Sequence, residues 1–417
     1  MLSKFKRHLM VATSTVALAG LVAACSSTAG SQSSDSSSSS PQAATSDTVG
    51  GGGGGSGDAG KTLLIGVSSP RTGPAASYGI SGDSMVAYLK AKNDEGGVAG
   101  YTFDFKYLDN NGTVSGGALA AQTLLADDPF ALALVTTPPF NGSVEIIKSQ
   151  TNPPPIFATV SGAAIDASGL ENVFGVLTNY VTEAQYVLRH MVNEDKHQKV
   201  ALFYDPSFAD ETVAPLEEAA KSLGADLVSS IAVAAEDTNM TPYIQQALSA
   251  GADSALIMAH AQSAGYMLKA ARGQGVDIPF YGFSGTLDPV LIQTAGADAA
   301  EGFKLDGAYP PVDSGADSAE VQRFREVTAK YAPDAGTYFG TMGWQMGAVL
   351  AAGVQSVADS GKEMNRENFI GALYALSGQE VGFTTITLTP DDHNTLIKDD
   401  GLSMYQVSGG TFVPLGG

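Results

Sequence analysis

Residues 63–109 constrain the fold of this chain more than any other stretch. Residues 63–67 are a short, almost continuous apolar run, and residues 68–79 are rich in glycine, proline and small side chains. This pattern is typical of a buried parallel strand that ends in a loop.

A helix and a second strand are predicted after this loop. Ser81, Asp83 or Ser84 is expected to cap a helix that runs to about Asn93. Aromatic and polar residues then alternate over residues 101–107, as in a strand. This order forms a right-handed crossover with the loop at the carboxyl end of a parallel strand, where open α/β sheets bind ligands.

The N-terminus has the pattern of a bacterial lipoprotein signal. A basic segment ends at His8, residues 9–24 are apolar, and V-A-A-C ends at Cys25, the only cysteine. The apolar run is short for a membrane span, so residues 1–24 are predicted to be a signal peptide that leaves Cys25 lipidated. The alternative is an ordinary secretory signal with a leftover thiol.

A tether is predicted between the lipid anchor and the folded body. Residues 25–60 consist mainly of serine and glycine, which favours a disordered coil that spans on the order of 30 Å. Without residues 1–24 the chain has 19 basic and 43 acidic residues, a net charge of −24. Such a charge argues against nucleic acid or an anionic membrane surface as a partner.

The residues after Gly60 are too many for one simple core and favour two domains. Strand and helix patterns alternate through most of them, which predicts an α/β protein with two doubly wound parallel sheets. Near the end, residues 404–407 and 411–413 are expected to pair as a hairpin across Gly409 and Gly410.

Three motifs carry a family resemblance. They are T-G-P-x-A-x-x-G at residues 72–79, N-x-x-G-G-V-x-G at residues 93–100, and Asp109 at the end of the second strand. Behind a lipoprotein leader, they resemble the start of the leucine/isoleucine/valine-type solute-binding proteins of bacterial ABC importers. The resemblance extends from about residue 62 to the C-terminus.

The resemblance implies a type I periplasmic binding protein fold with two lobes and a three-strand hinge. It implies a first lobe of residues 61–178 and 306–395, and a second of residues 179–305 and 396–417. It further implies an extracytoplasmic monomer, anchored to the membrane, that closes around a small solute and delivers it to permease subunits.

No catalytic pattern is found. The sequence has no G-x-S-x-G, Walker A or H-E-x-x-H motif, and its histidines do not have metal-ligand spacing. We therefore expect a binding protein with no enzyme activity, cofactor or metal, and a dry cleft with a few polar groups.

The resemblance and the loops after the strands give the candidate binding residues of the first lobe. Tyr78 stands where the family has an aromatic residue against the ligand. The amides of residues 141–143 are expected at a helix start, where they can meet an anion. The other candidates are Thr136, Thr137, Phe140 as an apolar wall, Ser161 and Gly162.

On the second lobe, Phe208 is a candidate stacking residue, and His260 occupies a position where the family often has an aromatic residue. Phe283 and Ser284 fall where amino-acid binders of the family commonly carry an acid for the ligand ammonium. A buried ammonium needs a carboxylate or several acceptors. Asp210 or Asp288 can supply that acid from nearby.

The serine at position 284 leaves two functions open. The first is import of a branched-chain or related amino acid, with one of these aspartates binding the ammonium. The second is import of an amide, urea or an aromatic carboxylate in an aromatic-lined pocket. A solute sensor of the same fold is a further alternative.

Overall fold

The computed structural model describes residues 61–73, 75–206, 209–234, 236–312, 318–390, 397 and 401–415. Cys25, the predicted tether and Phe208 lie outside these residues. The strands are β1 (Lys61–Ser69), β2 (Tyr101–Asp109), β3 (Ala131–Val135), β4 (Ile156–Thr159), β5 (Val173–Gly175), β6 (Lys199–Tyr204), β7 (Asp226–Ala232), β8 (Ser254–Met258), β9 (Phe280–Gly282), β10 (Lys304–Gly307), β11 (Glu380–Val381), β12 (Thr384–Thr385), β13 (Ser403–Ser408) and β14 (Thr411–Pro414).

The helices alternate with these strands. They are α1 (Ile80–Asp94), α2 (Val114–Leu125), α3 (Thr137–Lys148), α4 (Gly162–Ser168), α5 (Tyr180–Asn193), α6 (Ala209–Ser222), α7 (Thr241–Ser249), α8 (Ala261–Gly273), α9 (Pro289–Ala295), α10 (Ala297–Ala300), α11 (Ala319–Tyr331), α12 (Tyr338–Asp359) and α13 (Arg366–Ala375).

The first sheet is parallel throughout and has the strand order β2-β1-β3-β4-β5. Alternate residues of β3 enter different cores. Ala133 and Val135 pack in the core that contains α1 and α12 residues, whereas Leu132 and Leu134 pack with α3 residues. Burial on both faces explains the nearly continuous apolar sequence of these strands.

The second sheet has the order β14-β13-β10-β9-β8-β6-β7. Strands β6–β10 are parallel, and β13 runs antiparallel to β10 and to β14. The predicted hairpin is confirmed, with Gly409 and Gly410 at φ of 60° and 79°. Two positive φ angles in a two-residue turn are what glycine adopts most easily.

Each sheet with its surrounding helices forms one lobe, so the predicted class of two doubly wound α/β lobes is confirmed. The chain passes from the first sheet to the second after β5, and returns after β10 to helices that pack on α1. The Tyr309 hydroxyl donates to the Val176 carbonyl over 2.7 Å and joins these two passages.

Helix α12 packs closely against α1 because of a glycine. A Cβ atom at Gly343 would lie 1.9 Å from the carbonyl oxygen of Ser81. Ser81 also donates to the Phe339 carbonyl over 2.8 Å. This contact fixes the start of α12 beside the loop that follows β1.

Two predicted helix starts are wrong. Helix α1 begins at Ile80 after Gly79, with no side-chain cap, and Ser81 and Ser84 are buried inside it. Helix α3 begins at Thr137 with prolines in its first turn, so the amides of residues 141–143 lie within the helix and not at its start. Proline fits a first turn because its missing N–H has no intrahelical partner there.

Candidate functional site

A cavity of about 370 Å³ lies between the two lobes, at the carboxyl ends of strands from both sheets. Open α/β sheets bind ligands at this edge. The lining residues that belong to the first lobe form the first wall of the cavity, and those that belong to the second lobe form the second wall. Seven of the residues predicted from the sequence line it: Tyr78, Thr136, Thr137, Ser161, His260, Phe283 and Ser284.

Other predicted residues lie elsewhere. Phe140 is completely buried and packs in the core with Leu132 and Ile147, so its expected place on an apolar wall is corrected. It belongs to the second turn of α3, which begins earlier than predicted. Gly162 is the first residue of α4, next to the lining residue Ser161. Asp210 lies in α6, but its side chain is outside the described part of the chain.

A hydrogen bond crosses the cavity from one lobe to the other. The Tyr78 hydroxyl lies 2.7 Å from His260 Nδ1, and the Tyr78 ring packs edge-on against Phe339 with centroids 4.8 Å apart. Burial, followed by the charges of Asp288 and Asp205, raises the pKa of Tyr78. The phenol is therefore neutral and keeps its proton for this bond.

His260 is held as a neutral acceptor. Burial lowers its pKa below the ordinary value, although the charge of Asp205 acts in the opposite direction. Asp205 Oδ2 lies 4.0 Å from His260 Nε2. We assign the ring proton to Nε2, on the side of this carboxylate, so that Nδ1 accepts from Tyr78.

The first wall carries a group of hydroxyls. Thr137 Oγ1 accepts a hydrogen bond from the Ser161 amide over 3.2 Å. The buried Thr136 Oγ1 and Thr159 Oγ1 have no hydrogen-bond partner among the described residues. An unsatisfied buried hydroxyl costs about 1–3 kcal/mol.

The same wall contains a strained residue. Thr136 has φ of 72° where β3 turns into α3. A β-branched residue rarely adopts a positive φ, and such strain concentrates at functional sites. The turn places Thr136 and Thr137 beside Ser161, from the loop after the neighbouring strand β4.

A buried carboxylate that the sequence prediction missed lies behind the second wall. Ser284 Oγ donates to Glu183 Oε2 over 2.8 Å, and the Glu183 side chain is only 1% exposed. Burial raises the pKa of Glu183 to about 7, and hydrogen bonds from Ser284 act in the opposite direction. Beside Ser284, the rings of Tyr180 and Phe283 pack edge-on with centroids 5.5 Å apart.

Asp288, which the sequence suggests as an acid for the ligand ammonium, makes a contact within the protein. Its Oδ1 accepts from the Val290 amide over 2.8 Å and caps α9, and the residue is not among those that line the cavity. Burial raises its pKa.

Several lining residues gave no usable sequence pattern. Phe339 and Met342 lie on α12, which is apolar on nearly all sides. Glu183 resembles an ordinary first-turn acid of a helix capped by Asn179. The remaining residues missed are Ala75, Ser81, Gly112, Pro138, Thr159, Leu177, Tyr180 and Gly285.

The described residues contain neither a candidate metal site nor a candidate membrane span. They contain no group of three His, Cys, Asp or Glu side chains that could hold a metal ion. None of the described helices has the length and apolar character needed to cross a bilayer.

Residues 62–411 match the profile of the Periplasmic binding protein family, and the chain belongs to that family. It is 28% identical over 195 residues to Leu/Ile/Val-binding protein homolog 3 of Brucella melitensis biotype 1. That match covers 46% of this chain and 52% of the relative, so it spans about half of that protein. The resemblance predicted from the sequence is confirmed.

Two solved structures share the fold. One is a branched chain amino acid ABC transporter protein from Thermus thermophilus with bound valine, with a TM-score of 0.75, 22% identity, and coverage of 85% of this chain and 96% of that one. The other is a solute-binding protein from R. palustris in complex with benzoate, with a TM-score of 0.70, 20% identity, and coverage of 85% and 96%.

Proposed function

We propose that this chain is the extracytoplasmic solute-binding lipoprotein of an ABC importer. The observation that carries the proposal is a cavity lined by both lobes, in which buried hydroxyls of Thr136 and Thr159 have no partner among the described residues. A solute that draws these side chains round toward the cavity supplies that partner and offsets the cost of the buried hydroxyls. The two walls then close around it.

The proposed ligand is a branched-chain amino acid or a related small solute with a carboxylate. Its polar head meets Thr137, Thr159 and Ser161 on the first wall. Its apolar body lies against rings and aliphatic groups, which make up most of the remaining lining: Tyr78, Leu177, Tyr180, Phe283, Phe339 and Met342. An amide or an aromatic carboxylate is the alternative that this lining also supports.

The Tyr78–His260 hydrogen bond supports closure as the binding step. It joins residues 182 positions apart in the sequence, one on each wall. A ligand that holds the walls together keeps this bond formed, and the bond in turn slows release of the ligand.

The remaining parts of the proposal rest on the sequence and the family. The lipid at Cys25 and the tether keep the binding body near membrane-embedded permease subunits. Residues 61–178 and 306–395 are proposed as the first lobe, and residues 179–305 and 396–417 as the second. The family's description as periplasmic supports a place outside the cytoplasm.

Calorimetric titration of the purified protein tests this function. The panel consists of leucine, valine, 4-methylpentanoate, 4-methylpentanamide, benzamide, benzoate and urea. A ligand at roughly 100 times its dissociation constant adds about 2.7 kcal/mol to the folded state, so a thermal shift confirms each positive titration. Failure of every ligand to bind would contradict the proposed function.

A further inference from the structure

We propose that Glu183 and Ser284 form an acceptor subsite on the second wall, which selects solutes that present an N–H group, either an ammonium or an amide. This inference rests on the proposed function, since it concerns the solute bound in the same cavity. Glu183 acts through Ser284 and is a positioning residue.

The direction of one hydrogen bond carries the argument. A serine hydroxyl has one hydrogen and two lone pairs. Ser284 lines the cavity and its hydrogen points to Glu183 Oε2, 2.8 Å from Ser284 Oγ. While Glu183 is ionised, only lone pairs of Ser284 remain for the cavity, so a ligand must donate at this point.

The negative charge of the Glu183 carboxylate behind Ser284 strengthens the preference for a ligand N–H donor. Glu183 lies on the first turns of α5 and is buried, so its field is little screened by water. A ligand ammonium or amide N–H stabilises the ionised form, whereas a ligand carboxylate on the same side is repelled. The subsite thus supplies from α5 the acid that position 284 lacks.

The first wall makes the selection directional. Thr137 Oγ1 accepts from the Ser161 amide, so the hydrogen of the Thr137 hydroxyl can be donated to a ligand oxygen. A solute whose head group carries both an acceptor and an N–H donor satisfies both walls. An α-amino acid or a primary amide has both groups, and an aromatic carboxylate has only the first.

The ionisable groups near Glu183 define its pH response. Tyr338 of α12 feels the charge of Glu183, and Asp306 of β10 also raises the pKa of that phenol. On β9 the Tyr281 hydroxyl is bonded to Asp195, and on α6 Glu217 and Glu218 are exposed. Asp306 is therefore the second carboxyl that a pH experiment must separate from Glu183.

Titration of ligands that share one carbon skeleton tests the subsite. Leucine and 4-methylpentanamide carry an N–H group, and 4-methylpentanoate does not; benzamide and benzoate form a second pair. We expect the N–H ligand of a pair to bind at least roughly tenfold more tightly. In Glu183→Gln and Ser284→Ala we expect that advantage to fall below about threefold, and the far-UV circular dichroism spectrum of each variant to show that it is folded.

The pH profile separates positioning from a merely structural role. Burial raises the pKa of Glu183 to about 7, so the affinity for the uncharged amide should rise between pH 5.5 and 8. We expect this rise in the wild type and in Asp306→Asn, and its loss in Glu183→Gln. Rising affinity in Glu183→Gln would overturn the inference.

The outcomes distinguish a failure of the subsite from a failure of the proposed function. Equal affinity for the N–H ligands and their carboxylate partners, with no change in Glu183→Gln, overturns the subsite and leaves solute binding intact. Failure of all these ligands to bind contradicts the proposed function, and the subsite with it.

Discussion

The two walls of the cleft present opposite hydrogen-bonding groups. The first wall has hydroxyls in the loops after β3 and β4, where Thr137 and Ser161 contact each other directly. On the second wall, the Ser284 hydroxyl donates its hydrogen to the Glu183 carboxylate that lies behind it. A solute is therefore held in one orientation, with its oxygen toward the first lobe and its N–H toward the second.

The two walls also differ in whether a charge is buried away from solvent. Glu183, behind the second wall, is 1% exposed, so its charge is shielded from solvent when it is ionised. The first wall distributes its polarity over uncharged groups. Substitutions in the second wall should therefore respond to pH, and those in the first wall should not.

The largest expected effect is a change in the pH dependence of protein stability when Glu183 is substituted. Its pKa is about 7 in the folded chain and near 4.5 in an unfolded one, so the folded state binds more protons between these values. The free energy of unfolding should therefore fall as pH rises through this window, by on the order of 3 kcal/mol relative to Glu183→Gln. Denaturant unfolding of both proteins from pH 4.5 to 8 measures this difference.

Glu145→Gln is the matched control, because the Glu145 side chain is 84% exposed. It should keep the pH dependence of the wild type. Parallel pH profiles for wild type and Glu183→Gln would contradict the assigned burial of this charge.

The next largest effect, on ligand affinity, is expected at the Tyr78–His260 contact that joins the two walls. Tyr78→Ala removes the ring from Phe339 and the hydrogen bond to His260, and we expect roughly thirtyfold weaker binding, about 2 kcal/mol, of the tightest ligand in the panel. Tyr78→Phe loses the hydrogen bond alone and should cost about fivefold. Calorimetry on both variants checks the order, and unchanged affinity in Tyr78→Ala would reject the assigned cleft.

A threonine of the first wall should show opposite effects on stability and binding. Thr159→Val removes a buried hydroxyl that has no partner among the described residues, so we expect the free protein to gain about 1 kcal/mol while affinity falls roughly tenfold. Thr328 is the control, because its buried hydroxyl donates to the Phe324 carbonyl over 2.6 Å. Thr328→Val should lose about 1 kcal/mol of stability. Loss of stability in Thr159→Val as well would show that its hydroxyl is satisfied.

The smallest effect is expected at Asp288. Asparagine caps a helix about as well as aspartate, so Asp288→Asn should change stability by less than about 0.5 kcal/mol. Affinity should change less than about twofold, because Glu183 supplies the acid. A tenfold loss in a titration with leucine would transfer that role to Asp288.

The sequence predicted the loops that follow parallel strands better than the helices of the site, for a physical reason. Buried parallel strands can be recognised in a sequence as apolar runs. The segments that follow them contain Tyr78, Thr137 and Ser161. The same logic located Ser284. It failed at Phe140, because two prolines that resemble loop residues occupy the first turn of a helix.

Glu183 was beyond this kind of prediction. An acid in the first turns of a helix is usually solvated and complements the helix dipole. Only the packing of α5 against β9 and β10 shows that it is buried and reaches the serine of another loop. Phe339 and Met342 were equally hidden, because α12 is apolar on almost every side.

Two unlike walls are proposed to hold the acceptor and the N–H donor of one solute while apolar groups hold its body. Three different contacts around one carbon atom distinguish mirror images, so the most direct test is calorimetric titration of the wild-type protein with the two enantiomers of leucine. The account predicts that one enantiomer binds at least roughly tenfold more tightly than the other. Binding of both enantiomers with equal affinity would contradict it.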